Sequence, residues 1–141
     1  MADMKSRDTL LKLKRFQVDD KRRQVAQIET MIAEFERMAV DLDREILAEQ
    51  EKAGIHDVAH YAYPTSAKAA KVRRDNLARS ADELRGQLAD AQAALAEAFE
   101  ELKKIEILEE RDGARERLAE AARDQAEMDR IGLGRSELRA G

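Results

Sequence analysis

Cysteine is absent from this chain of 141 residues. Disulfides and thiolate metal sites are therefore excluded, which fits a reducing compartment. Aromatic residues are scarce at 4%, and there is one proline and six glycines; such a composition argues against a compact globule. No apolar run approaches the length of a membrane span, and the opening from Met1 to Phe16 is basic and interrupted by charge, unlike a signal peptide. The net charge of −4 is mild and does not by itself favour nucleic acid.

What is plentiful is charge, at 40% of residues, together with helix-forming Ala, Glu, Arg, Leu and Lys. Without periodicity this would read as disorder. The periodicity overturns that reading. From Val18 to Ala53, one heptad position is filled by Val18, Val25, Ile32, Ala39, Ile46 and Ala53, and a second by Lys21, Ile28, Phe35, Leu42 and Glu49. That spacing holds one narrow apolar seam toward a partner helix, the mark of a coiled coil. A second series follows: Ala70, Leu77, Leu84, Ala91, Ala98 and Ile105 at one position, with Arg74, Ala81, Leu88, Leu95, Leu102 and Glu109 at the other.

Taken in order, the first five residues are expected to be irregular, with Ser6 or Asp8 capping a first helix over about residues 7–53, roughly 70 Å long at 1.5 Å per residue. Gly54 follows its last periodic residue, where helices commonly stop. Residues 54–65 form a connection with loop chemistry, in which Pro64 removes an amide and a short helical turn over Asp57 to Tyr61 is possible. A second helix is expected from about 66 to 131, beginning at Thr65 or Ser66, weakened at Gly113 and closed by Gly132 and Gly134. The fold class is all-α, a single long antiparallel two-helix coiled-coil hairpin.

The seams can be laid against each other in registers that differ by one heptad. One sets Val18 against Ile105, Phe35 against Leu88, Ala39 against Leu84 and Ile46 against Leu77. It also places Lys14 beside Glu109 and Glu49 beside Arg74. The register shifted by one heptad would put Lys14 on Leu102 and Arg74 on Leu42. Apolar layers separate these poorly, so the charged layers favour the first. In it Arg7 lies opposite Glu116, leaving an overhang after about Arg117. Leu118, Ala122 and Met128 would give that overhang a modest apolar face for a partner; the alternative is a solvated overhang with no role.

Catalytic constellations are not present: there is no Gly-rich phosphate loop and no Ser/His/Asp or Cys/His set, so neither enzyme activity nor a cofactor is expected. His56 and His60 would share a face if helical, but they lie in the connection and lack the glutamate of zinc proteases, so no metal is expected. The basic start (Lys12, Lys14, Arg15, Lys21, Arg22, Arg23) would lie along an acidic stretch of the second helix, which argues against nucleic acid. Lys71, Arg73, Arg74 and Arg79, near the tyrosines Tyr61 and Tyr63, read equally as a solvated face or as a partner contact.

Three stretches carry a family resemblance: MKSRDTLLKLKRFQVDDKRRQVAQIE, GIHDVAHYAYPTSAKAAKVRRDNL and ADELRGQLADAQAALAEAFEELKKIEI. They resemble the FliJ family of bacterial flagellar export proteins in its alphaproteobacterial form, over nearly the whole chain. The tip stretch is the most telling, since it owes nothing to heptads. The resemblance implies a cytoplasmic, non-enzymatic component of the flagellar type III export apparatus, at most peripheral to the inner membrane. It implies a stalk-like hairpin whose open end engages the hexameric export ATPase, with contacts to the membrane export gate and to export chaperones. On this basis the ATPase is assigned the region from Arg7 to Arg23 (Arg7, Lys14, Arg15, Arg22, Arg23) and the region after Leu108 (Leu118, Met128). The gate is assigned Tyr61, Tyr63, Arg73 and Arg74. The rival readings are a generic coiled-coil scaffold or spacer without an ATPase partner, and a nucleic-acid-associated coiled coil.

Overall fold

The computed structural model describes residues 2–140, and side chains over 5–138. Two helices account for nearly all of it: α1, Ala2–Ala53, and α2, Thr65–Ala140. No strand occurs among the described residues. The fold is an all-α antiparallel two-helix hairpin whose contacts divide into two units. One holds residues 16–98; the other holds the start of α1, through Arg15, with α2 from Phe99 onward.

In the unit of residues 16–98, the seam runs as the heptads dictate. Val18, Ile32 and Ile46 of α1 are buried, as are Ala67, Ala70, Ala81, Leu84 and Ala98 of α2. Val25, Ile28, Phe35, Ala39 and Leu42 are half-buried between them, and so are Leu77, Leu88, Ala91 and Leu95. Branched residues on α1 thus meet a seam rich in alanine on α2, which lets side chains of one helix fill space left by the other. The core is one side chain thick, so each layer contributes a small, separate increment of burial.

The turn between the helices follows from local chemistry. Gly54 adopts φ +71°, a left-handed conformation open to glycine at low cost. Its amide donates to the Glu51 carbonyl (3.3 Å) and the Ile55 amide to that of Gln50 (3.2 Å), the paired bonds that close a helix C-terminus. Residues 57–63 make two successive tight turns, His60 N to Asp57 O (3.0 Å) and Tyr63 N to His60 O (3.1 Å), rather than a helical turn. Pro64 ends the connection, and its carbonyl accepts the first helical bond of α2 from Lys68 N (3.2 Å).

In the other unit, Leu11 and Leu102 are buried. Arg7, Lys14, Ile105, Glu106, Glu109 and Asp112 are half-buried around them. From residue 115 to 133 every residue of α2 is exposed. Three boundary expectations are corrected here. Met1 lies outside the described residues, but α1 already runs from Ala2, so neither Ser6 nor Asp8 caps it. Asp8 instead faces Lys12 one turn on (3.9 Å). At the far end α2 passes through Gly132 and Gly134 to Ala140. Neither glycine takes a positive φ, and neither stops the helix.

The inter-helix register is the fourth correction, and it holds within each unit. Lys14 Nζ donates to Glu101 Oε2 (2.8 Å), eight residues short of Glu109. Arg74 Nη1 donates to Asp43 Oδ1 (3.0 Å), not to Glu49. Phe35 and Ala39 share a depression with Leu77 and Ala81, not with Leu84 and Leu88. These placements fit the alternative register, in which Lys14 shares a layer with Leu102 and Arg74 with Leu42. The reason is side-chain length. Lysine and arginine lay their stems across an apolar layer and carry the charge out to a flanking carboxylate.

Two outcomes check this arrangement. The double reversal Lys14→Glu with Glu101→Lys should recover melting temperature lost by either single change, whereas Lys14→Glu with Glu109→Lys should give no recovery. Rescue through Glu109 would contradict the register. Phe35→Ala should cost roughly 2 kcal/mol in denaturant melts, the low end for a large core truncation because the side chain is only half-buried.

Candidate partner-binding surfaces

The residues singled out from sequence fall into three places. At the tip, the two tyrosines separate sharply. Tyr63 is 4% exposed; Gln50 Nε2 donates to its hydroxyl (2.9 Å), and the Lys71 ammonium lies 5.3 Å from its ring centroid. It is part of the packing that closes the turn. Tyr61 is 97% exposed and stacks on its neighbour His60, with ring centroids 4.7 Å apart and planes at 24°. The tip therefore presents one aromatic face outward.

His60 owes its place to the turn. Its Nδ1 accepts from the Ala62 amide (3.0 Å), just as Asp57 Oδ1 accepts from the Ala59 amide (3.0 Å), so both side chains act as turn caps. No group of three or more His, Asp or Glu arranged to hold a metal occurs among the described residues.

Arg73 and Arg74, adjacent in sequence, also differ. Arg74 is committed to Asp43 and also bonds Asp75 (3.2 Å). The Asp43 carboxylate, then Asp75, hold its guanidinium charge above the ordinary range. Arg73 is exposed, has no ion pair among the described residues, and lines a groove with Met38, Asp41 and Leu42 of α1. Arg85 resembles Arg74: Glu36 first, then Asp82, favour its charged form, and the pair with Glu36 ties α2 to α1.

Toward the start of α1, Arg7 and Lys14 are taken up in holding the helices together, Arg7 by Asp112 and Lys14 by Glu101. The Lys14 ammonium holds the Glu101 carboxyl below its ordinary value of 4.5. A depressed carboxylate stabilises the fold above its ordinary value, and that contribution is lost as pH falls through the lower folded value. Arg15 and Arg22 are exposed, and Arg23 sits 5.9 Å from the Phe16 ring, itself 61% exposed. Along the far part of α2, Leu118 (72% exposed) and Met128 (67%) stand among uncovered residues. Sequence reasoning missed Met31 and Met38, both exposed. Their signal was present, since they repeat one heptad apart beside the seam.

Paired helices with a heptad seam and exposed flanks define a coiled-coil protein. Comparison of families specifies which one: the flagellar FliJ protein family matches residues 4–135, and the chain belongs to it. The family is a non-catalytic component of flagellar protein export. Neither a curated protein nor a solved structure matches the chain. No described helix is long and apolar enough to cross a membrane.

The tip makes a clear distinction between its tyrosines. Tyr63→Ala should lower stability by roughly 3 kcal/mol, as a large buried ring is lost. Tyr61→Ala should stay within about 0.5 kcal/mol of the parent, as surface changes do. Equal losses in denaturant melts would contradict this reading of the turn.

Proposed function

We propose that this chain acts as a stalk-like partner of the hexameric flagellar export ATPase in the cytoplasm. The contact is made by the unit that holds the start of α1 and the far part of α2. The observation that carries the proposal is the exposed stretch of α2 from 115 to 133. An isolated helix of this kind is marginal in water, and most helical stability comes from packing against another element. A stretch that presents Leu118 and Met128 without a covering helix among the described residues suits a partner that supplies one. Arg15, exposed on α1 at the level of Glu101, adds charge to the same unit, whereas Arg7 and Lys14 serve the contact by fixing the helix pair. Arg22 and Arg23, exposed on α1, belong to the other unit and are proposed as a separate basic contact.

The tip, with Tyr61 outward and Arg73 exposed nearby on α2, is proposed to meet the export gate at the membrane. Tyr63 and Arg74 support that surface from within. Export chaperones are further candidates for the exposed stretch of α2. Membrane association in this reading is peripheral, through the gate.

The test is truncation after Arg117. The thermal melt should shift by less than about 2 °C, since no buried layer is removed, while affinity for the hexameric export ATPase should fall roughly tenfold or more. Unchanged affinity would assign the stretch to solvent and leave a spacer without this partner. A collapsed melt would show that the stretch is covered within the chain.

A further inference from the structure

Toward the end of the part that α1 covers, α2 changes the face on which its apolar residues recur. Leu102 is buried toward α1, with Ile105 and Glu109 half-buried beyond it. A second series runs along the opposite side of the helix. Ile107, Ala114, Ala121 and Met128 recur every seven residues, and Leu118 falls four residues after Ala114. At 3.6 residues per turn, Ile107 stands roughly half a turn round from Ile105, away from α1, and it is 48% exposed. Ala114 is half-buried, and Leu118, Ala121 and Met128 are exposed. Alternate steps of three and four residues make a heptad seam. Arg111 and Gln125 hold the positions one heptad before and after Leu118, so the seam is a weak one.

The charges beside this seam select the helix that fits it. Arg115 and Arg117 flank its first half, and Asp124 and Asp129 its second. Arg115, Arg117 and Asp124 are exposed and have no ion pair among the described residues. Asp129 accepts a hydrogen bond from Gln125 Nε2 (3.1 Å). Arg123 and Glu116, 3.9 Å apart, answer each other on the outer side. A seam that is basic at one end and acidic at the other complements its own copy laid antiparallel. With Leu118 packed on Ala121 of the copy and Ala114 on Gln125, Arg117 meets Asp124 and Arg115 meets Asp129. Two-fold symmetry makes each contact twice. Arg115 and Asp129 then stand to their layers as Glu36 and Arg85 do in the hairpin, where that pair is formed. The alternatives are repulsive. A slip of one heptad opposes Arg117 to Arg117 or Asp124 to Asp124, and a parallel pair sets Asp124 beside Asp129.

We propose that the face of α2 from Ile107 to Met128 pairs with the same face of a second copy of this chain, antiparallel and two-fold symmetric. The pairing concerns the chain alone in solution and stands whether or not the ATPase reading does. Where both hold, the two partners compete for Leu118 and Met128. Alanine in two layers, with Arg111 and Gln125 in others, keeps the association weak, with a Kd on the order of 100 µM. The monomer therefore prevails in dilute solution.

The experiment is sedimentation equilibrium of the full chain from micromolar to near-millimolar concentration. Monomer and dimer should both be present at the upper end. Arg117→Asp and Asp124→Arg, each alone, should weaken association roughly tenfold, since each replaces two attractive contacts by two repulsive ones. An equimolar mixture of the two variants should associate as well as the parent, because an acidic face then meets a basic one. On the unaltered chain, the methyl NMR signal of Met128 should move with concentration while those of Met31 and Met38 stay in place. A chain that remains monomeric throughout would overturn the proposal, as would a dimer that neither variant weakens or a mixture no better than either alone. Stronger association of Asp124→Arg by itself would overturn it in favour of a parallel pair. Concentration-dependent shifts at Met31 and Met38, with Met128 unmoved, would overturn it in favour of another surface.

Discussion

Apolar layers that recur every seven residues fit one another nearly as well after a slip of one heptad, so the seam alone does not choose how α1 meets α2. Half-buried charge does. Lys14 reaches Glu101 and Arg74 reaches Asp43. Such a pair is worth little in stability, yet within its own unit a slip of seven residues, about 10 Å along the helix, would break it. Weak interactions thereby specify an arrangement that stronger, degenerate burial leaves open. The register in turn fixes which groups stand together at the surface: Met38 beside Arg73 and Ser80, and Arg7 against Asp112.

Much of this was legible in the amino-acid sequence. The heptad positions read from Val18 to Glu49 and from Ala70 to Glu109 are the positions that the structure buries or half-buries. Gly54 and Pro64 bracket the turn because a left-handed conformation and a missing amide are local properties. Register was less legible. The charged seam residues invite pairing straight across a layer, which would join Lys14 to Glu109. Long side chains escape that geometry by leaning out of the layer, and the pattern of charges does not record the lean. Helix ends are less legible too: Gly132 and Gly134 lower helix propensity by about 1 kcal/mol each, but neither adopts the left-handed conformation with which Gly54 closes α1.

The candidate surfaces were less legible than the fold. Charge singled out Arg7, Lys14 and Arg74, all of which the structure spends on intramolecular pairs. Aromaticity singled out both tyrosines, of which Tyr63 is internal. A residue type suited to binding a partner is equally suited to binding its own chain, and only the packing separates the two uses. Membership of the flagellar FliJ protein family gives the export setting, while among the singled-out side chains the structure leaves fewer exposed than the residue types suggest: Tyr61 at the tip, Arg73, and Leu118 and Met128 of α2.

The register is the claim from which these surfaces follow, and the absence of cysteine makes it directly measurable. Cysteine pairs introduced at 39 and 77, or at 39 and 84, in the full chain can be exposed to a short thiol cross-linker under native conditions. This register should give rapid intramolecular linkage of the 39/77 pair and little of the 39/84 pair, whose second site lies about 10 Å further along α2. Preferential linkage of 39/84 would contradict it.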